Sequence, residues 1–252
     1  MPDPVDGIRA KLARSIEHLL ELDDAVHQYL NADPAGIQRQ VQPDGETSVI
    51  AFVVKEQPPV ELAILAGEVV YQMRSALDHL ANQLVRAAGN TPTRSTSFPA
   101  AIERPQAGIN VSGGVDSRPL QIIEGLQPYQ RRDQPEKHPL AVLNELWNID
   151  KHRNLALATM KVTESQVFIS SPGTSLVGGQ FQAGPLGHND ILGVFRFSDG
   201  EIPPEVEIEV AGRLFVAFSH NGPWGSGPVT EVLEALHSYV TTTVVARLED
   251  FC

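Results

Sequence analysis

Arg74, Asp78 and His79 form the densest group of reactive side chains in the sequence, within a stretch of helical pattern from Glu61 to Arg86. Arg74 and Asp78 are four residues apart, so they can form an ion pair along a helix. An arginine, a carboxylate and an imidazole, together with amides within three turns, favour a cleft that binds a substrate or ligand. The alternative interpretation is the solvated polar face of an amphipathic helix, and the sequence leaves both open.

A second polar segment, Asn148 to Leu155, ends an apolar pattern that predicts a helix over residues 139–155. Asp150 falls on the apolar side of that helix, so it is predicted to be buried. A buried carboxylate needs a cationic or strongly donating partner, and Arg74 is the partner that we predict. The two segments would then face each other across one site.

His152 and Arg153 complete the set of candidate site residues. If the two helices bring their side chains together, Asp78, His79, Asp150 and His152 can form a metal site. No H-x3-H or H-E-x-x-H spacing is present, so a zinc protease of that type is not indicated. The nucleophile-elbow and dinucleotide-loop patterns G-x-S-x-G and G-x-G-x-x-G are also missing, and we predict no cofactor.

Periodicity and turn signals predict the elements that position these side chains. Helices are expected at about residues 6–31, 61–86, 120–126, 139–155 and 228–251. A β-hairpin is expected at 37–55, around the turn sequence Pro43-Asp44-Gly45. Short β-rich runs follow at 157–162, 166–170, 179–183, 191–197, 206–210 and 214–218. The predicted fold is α+β, a long-helix bundle packed against an antiparallel sheet, in one domain over residues 1–252.

Ser112 to Ser117 reads SGGVDS, letter for letter the phosphate loop of ATP pyrophosphatases. In that family the loop follows a strong buried strand and leads directly into a helix, where backbone amides hold pyrophosphate. Here a weak, glycine-containing stretch precedes the motif, and Arg118-Pro119 follows it. We therefore predict a flexible Gly/Ser loop at this position.

Composition limits the classes of function. The 252-residue chain carries a formal net charge of -12, which disfavours a broad nucleic-acid or anionic-membrane surface but leaves room for a small cationic pocket. Its single cysteine, Cys252, excludes an internal disulfide and a cysteine-based zinc site. No apolar run approaches the roughly 20 residues of a membrane span, and the first residues lack a signal core. These features predict a soluble, cytoplasmic protein without membrane segments.

Two resemblances add to these expectations. The segments RSALDHLANQLV, LQPY and NIDKHRNL resemble a scattered family of uncharacterised bacterial proteins, which implies no activity. The stretch from Arg74 to His79 also resembles the R-x4-6-H motif of HEPN domains, which are helical and include many metal-independent ribonucleases. That resemblance implies that His79 acts as general acid or base on a ribose hydroxyl or leaving oxygen. It also implies that Arg74 stabilises the phosphorane and that the site is shared across a homodimer.

The leading hypothesis is a HEPN-like, metal-independent ribonuclease or nucleotide-processing protein, which would take RNA or a nucleotide in a small pocket. Its candidate residues are Arg74 and His79, supported by Asp78, Asp150, His152 and Arg153. One alternative is a small-molecule enzyme or ligand-binding protein with its pocket between helices 61–86 and 139–155. The other is a non-catalytic interaction protein in which the same residues form a structural polar cluster.

Overall fold

A computed structural model describes residues 3–44, 47–170, 176–181, 184–197, 207–219 and 222–252. Helices and antiparallel strands both form, so the predicted α+β class is confirmed. Contacts divide the chain into a helical unit (Met1–Asp24, Val60–Ala156 and His220–Cys252) and a sheet unit (Ala25–Pro59 and Leu157–Ser219). The single domain expected from the sequence stays a prediction.

The helical unit contains long helices joined by irregular segments. Its elements are the first part of α1 (Asp6–Asn31), α2 (Val60–Ala87), α3 (Ser117–Gly125), α4 (Pro139–Asp150), α5 (Val229–Tyr239) and α6 (Ala246–Leu248). Short 3-10 turns form at Pro128–Gln130, Pro135–Lys137 and Glu249–Phe251. The predicted helix over 228–251 is interrupted by a π-helical turn at Val240–Val245. That turn is rich in β-branched residues, which restrict side-chain freedom in a regular helix.

The core of the helical unit is built around α2, which contacts both α4 and α5. The helical period places six apolar residues on one face of α2, and all of them are buried: Val69, Met73, Ala76, Leu77, Leu80 and Leu84. Gly89 follows the end of α2, and its positive φ of 75° suits a residue without a Cβ. Gly89 N donates to Arg86 O and Asn90 N donates to Val85 O, the two bonds of a Schellman motif. This cap defines where the following loop leaves the helix.

The SGGVDS segment lies in that loop. Gly113 and Gly114 have positive φ values of 104° and 83°, as expected for a glycine-rich turn. The preceding residues 107–111, all described, form no strand. α3 begins at Ser117, the last residue of the motif and earlier than the predicted position 120, so the motif leads directly into a helix.

The sheet unit contains two antiparallel sheets. One has the strand order β1-β2-β6-β4, and the other has the order β5-β3-β7. The strands are β1 (Ala35–Val41), β2 (Thr47–Val54), β3 (Leu157–Ser170), β4 (Leu176–Phe181), β5 (Gly184–Leu186), β6 (Ile191–Phe197) and β7 (Glu207–Phe218). Ile50, Phe52 and Phe195 of the first sheet pack in one core cluster with Leu186 of the second. Antiparallel pairing was predicted, and it is confirmed.

The hairpin of β1 and β2 forms at the predicted position. Asp44 closes its turn, because the carboxylate accepts from Thr47 N at 2.9 Å and from Thr47 Oγ1 at 2.7 Å. Gly45, the third residue of the predicted turn sequence, lies outside the described residues.

Long-range pairing changes two details of the predicted strands. β3 and β7 each run continuously where two shorter runs were predicted, with a register shift between Thr163 and Val167. Gly184 and Pro185 lie outside the predicted β-rich runs but form part of β5. Because β5 is an edge strand that pairs only with β3 in the described sheet, its proline costs no ladder hydrogen bond on the outer side.

In the part of the chain that the structure describes, every helix is too short or too polar to cross a lipid bilayer. The predicted cytoplasmic location and homodimer stay predictions.

Candidate functional site

Arg74 is the most deeply buried of the predicted site residues, with 4% of its surface exposed. Its Nη2 donates to Asp78 Oδ1 at 2.8 Å and to Phe98 O at 2.7 Å. Asp78 Oδ1 also accepts from Phe98 N at 2.9 Å. The guanidinium lies over the Trp147 ring, 5.1 Å from its centroid. The predicted Arg74–Asp78 ion pair is therefore confirmed.

These contacts form what we call the Arg74 clamp, made of Arg74, Asp78, Phe98 and Trp147. Phe98 belongs to the loop after α2 and is almost fully buried, so the clamp fastens this loop to the helix through its backbone. Burial lowers the pKa of the Arg74 guanidinium, and the neighbouring Asp78 carboxylate opposes that shift. The contacts of Arg74 with Asp78, Phe98 and Trp147 all lie within the helical unit.

His79 lies on another side of α2. Residues five positions apart point about 140° away from each other around a helix axis. His79 is exposed, and its Nδ1 lies 3.5 Å from the point where Gly7 would carry a Cβ, near the start of α1. Within one chain, Arg74 and His79 therefore do not point into a common cleft. The ribonuclease site built from this pair stays a prediction.

The predicted pair between Asp150 and Arg74 is wrong. The Asp150 carboxylate lies against Gly67 of α2, where a Cβ would come within 2.8 Å of its Cγ. Trp147, one turn earlier in α4, is the residue that meets Arg74. Gly67 precedes Arg74 by about two turns, or about 10 Å along α2. The two helices therefore cross in a register that places the arginine and the carboxylate at different levels.

Asp150 is half-buried and makes no hydrogen bond or ion pair with the residues that the structure describes. Burial raises the pKa of its carboxyl above the ordinary value of 3.8. A raised folded-state pKa stabilises the fold below the unfolded-state pKa, and this stabilisation is lost as the pH rises through the folded-state value. At pH 7 the ionised carboxylate is therefore unfavourable in the folded state.

We expect Asp150→Asn to raise the melting temperature at pH 7, because the amide removes the buried charge. The gain should disappear as the pH falls below about 4, where the wild-type carboxyl becomes protonated. Thermal unfolding of both proteins between pH 3 and pH 8 measures this. An equal gain in melting temperature at pH 3 and at pH 8 would contradict a role for ionisation of Asp150.

His152 and Arg153 lie beyond the end of α4, which ends at Asp150 instead of the predicted 155. Both side chains are exposed. Within the described ranges, neither side chain makes a hydrogen bond or ion pair. The neighbouring Lys151 lies over Trp147, with Nζ 3.1 Å from the ring centroid. His152 and Arg153 are thus separate from the Arg74 clamp.

The metal site considered from the sequence does not form in the described structure. His79 lies beside Gly7, and Asp150 lies against Gly67, so these two ligands face different neighbours. Among the residues that can be described, no group of three or more His, Cys, Asp or Glu side chains is placed to hold a metal ion.

The helical unit contains an open cavity that the sequence did not predict. Its volume is about 350 Å³, and it lies between the start of α4, the loop at 223–227 and α5. Its lining residues are mostly apolar: Lys137, Pro139, Val142, Pro223, Trp224, Gly227, Glu231, Val232, Ala235 and Leu236. The sequence signal for it is a tryptophan and a proline inside the glycine-rich segment GPWGSG, just before the last helix.

His138 fixes the wall of this cavity at the start of α4. Its Nδ1 accepts from Leu140 N at 3.2 Å, which caps the helix. In the neutral ring the proton is then on Nε2, which donates to the Tyr239 hydroxyl at 3.2 Å. Burial and the charge of Arg131 lower the pKa of His138, which favours this neutral form. The cap therefore ties the first turn of α4 to α5.

Comparisons with protein-family models, with curated proteins and with solved structures gave no match. The resemblances to uncharacterised bacterial proteins and to HEPN domains stay predictions. The geometry of the helical unit is what bears on function.

Proposed function

We propose that the protein binds a small, largely apolar molecule in the cavity between α4 and α5. The observation that carries this proposal is the cavity itself, about 350 Å³ in volume with the Trp224 side chain in its wall. Small-molecule sites are typically concave, mostly apolar and about 300–1,000 Å³ in volume. Val142 and Leu236 are buried in the lining, so the cavity has a preformed apolar base.

Ligand binding was one of the alternatives from the sequence, but the cavity lies elsewhere than the pocket expected there. The sequence suggested a pocket between helices 61–86 and 139–155, but α2 and α4 are in direct contact there, at Gly67 and Asp150 and at Arg74 and Trp147. The cavity instead uses the opposite end of α4, at Pro139 and Val142. Ligand binding is favoured over the ribonuclease because the contacts of Arg74 are internal, whereas the cavity is open to a ligand.

Titration with 1-octanol tests the proposal, because this neutral probe has an apolar chain that fits the cavity volume. We expect the fluorescence of Trp224 to change on binding, and Trp224→Phe to remove that change. Ala235→Phe should weaken binding by about tenfold or more, equivalent to about 1.4 kcal/mol, because its ring fills part of the cavity. Ala235 is exposed, so this variant is expected to fold.

Ala246→Phe is the matched control, since Ala246 is an exposed helical alanine outside the cavity lining. It should bind 1-octanol like the wild type. The proposal fails if 1-octanol does not bind, or if Ala235→Phe binds it with wild-type affinity. RNA cleavage by the wild type that is lost in His79→Ala would favour the ribonuclease hypothesis instead.

A further inference from the structure

Lys137 places a positive charge at the edge of the cavity. Its side chain is exposed and makes no hydrogen bond or ion pair with any described residue. Its backbone is held on both sides, since Lys137 N donates to Gln134 O at 2.9 Å and the next residue, His138, caps α4. The backbone position of Lys137 is therefore fixed, and its exposed ammonium group is available to bind a ligand.

Arg131 adds a second positive charge close to this point. Its Nη1 donates to the carbonyl oxygen of Lys137 at 3.3 Å. The guanidinium is thus held beside the backbone of Lys137, although Arg131 itself does not line the cavity. Lys137 is the only basic residue among the described residues that line the cavity.

The carboxylate in the cavity lining is less available to a ligand than the lysine. Glu231 is the only acidic residue among the described lining residues, and it already takes part in another interaction. Lys137 is the lining residue whose charge has no described partner. Of the two charged residues in the lining, Lys137 is therefore the one available to a ligand, and it favours a negatively charged group.

We propose that the ligand is an amphiphile, with an apolar body in the cavity and a carboxylate beside Lys137. The inference rests on the proposed ligand binding and adds the chemical class of the ligand. A lysine recognises an anion as a flexible point charge, so a carboxylate on a chain of suitable length can reach it without a fixed geometry. The apolar body of the ligand would pack against uncharged lining residues such as Trp224 and Val142.

Three probes with the same chain test this proposal: octanoate, 1-octanol and octylamine. Each is titrated at low ionic strength into the wild type and into Lys137→Met, which keeps an unbranched side chain and removes the charge. Octanoate should bind about threefold to fivefold more weakly to Lys137→Met, the range expected for a partly exposed ion pair. The affinity for 1-octanol should stay the same, and high salt should shrink the difference for octanoate.

Lys151→Met is the matched control for net charge, because Lys151 is exposed and lies at the other end of α4. It should leave octanoate binding unchanged. Equal octanoate affinity in the wild type and Lys137→Met, with 1-octanol still binding, would overturn the carboxylate proposal and leave the proposed function intact. Tighter binding of octylamine than of octanoate to the wild type would also overturn it. Failure of 1-octanol to bind would reject the proposed function itself.

Discussion

Arg74→Met is expected to lower the free energy of unfolding by about 3 kcal/mol, since breaking a buried ion pair leaves its partners without compensation. The methionine keeps an apolar contact with Trp147 but donates to neither Asp78 nor the Phe98 carbonyl. The carbonyl belongs to an almost fully buried residue, so its lost hydrogen bond cannot be replaced freely by water. Urea unfolding of the wild type and the variant measures the difference.

Arg86→Met provides the control for removing one arginine from the same helix. Arg86 is exposed in the last turn of α2, so its replacement should change stability by less than about 0.5 kcal/mol. A cost below about 1 kcal/mol for Arg74→Met would contradict the clamp as a stabilising element. A full cost in Arg74→Met with none in Arg86→Met would support the Arg74 clamp as the source of this stability.

Local geometry explains which parts of this arrangement the sequence could predict. The buried face of α2, including Met73 and Leu77, follows from the helical period, because burial depends on the angle around one axis. The Arg74–Asp78 pair follows from a spacing of four residues within the same helix. Both predictions concern α2 alone, and neither requires the position of another helix or strand.

Features that depend on two elements were not predictable in the same way. The register of α4 against α2 is set by which side chains fit, here Asp150 on Gly67 and Trp147 on Arg74. The helical period predicts that Asp150 lies on the buried side of α4, but it does not predict which residue of α2 it contacts. The cavity around Trp224 likewise arises where a loop meets two helices, so no periodic pattern marks it.

The α2–α4 register leads to a second prediction, in which the effect of one substitution changes sign. Gly67→Ala should lower stability by up to about 2 kcal/mol in the wild type. The added methyl overlaps the Asp150 carboxylate, and overpacking of this kind costs about 1–3 kcal/mol. The better helix propensity of alanine offsets about 1 kcal/mol of it. With Asp150→Ala already present, the overlap is gone, and Gly67→Ala should raise stability by about 0.5–1 kcal/mol.

Gly125→Ala supplies the matched control, because Gly125 is helical and a Cβ there meets no atom within 4 Å. It should stabilise the protein slightly whether or not Asp150 is present. The four variants of the Gly67 and Asp150 cycle, unfolded in urea, give the coupling between the two positions directly. Equal destabilisation by Gly67→Ala in both backgrounds would mean that Asp150 does not occupy the space at Gly67. The register of α4 would then be different, and with it the position of the cavity wall at Pro139 and Val142.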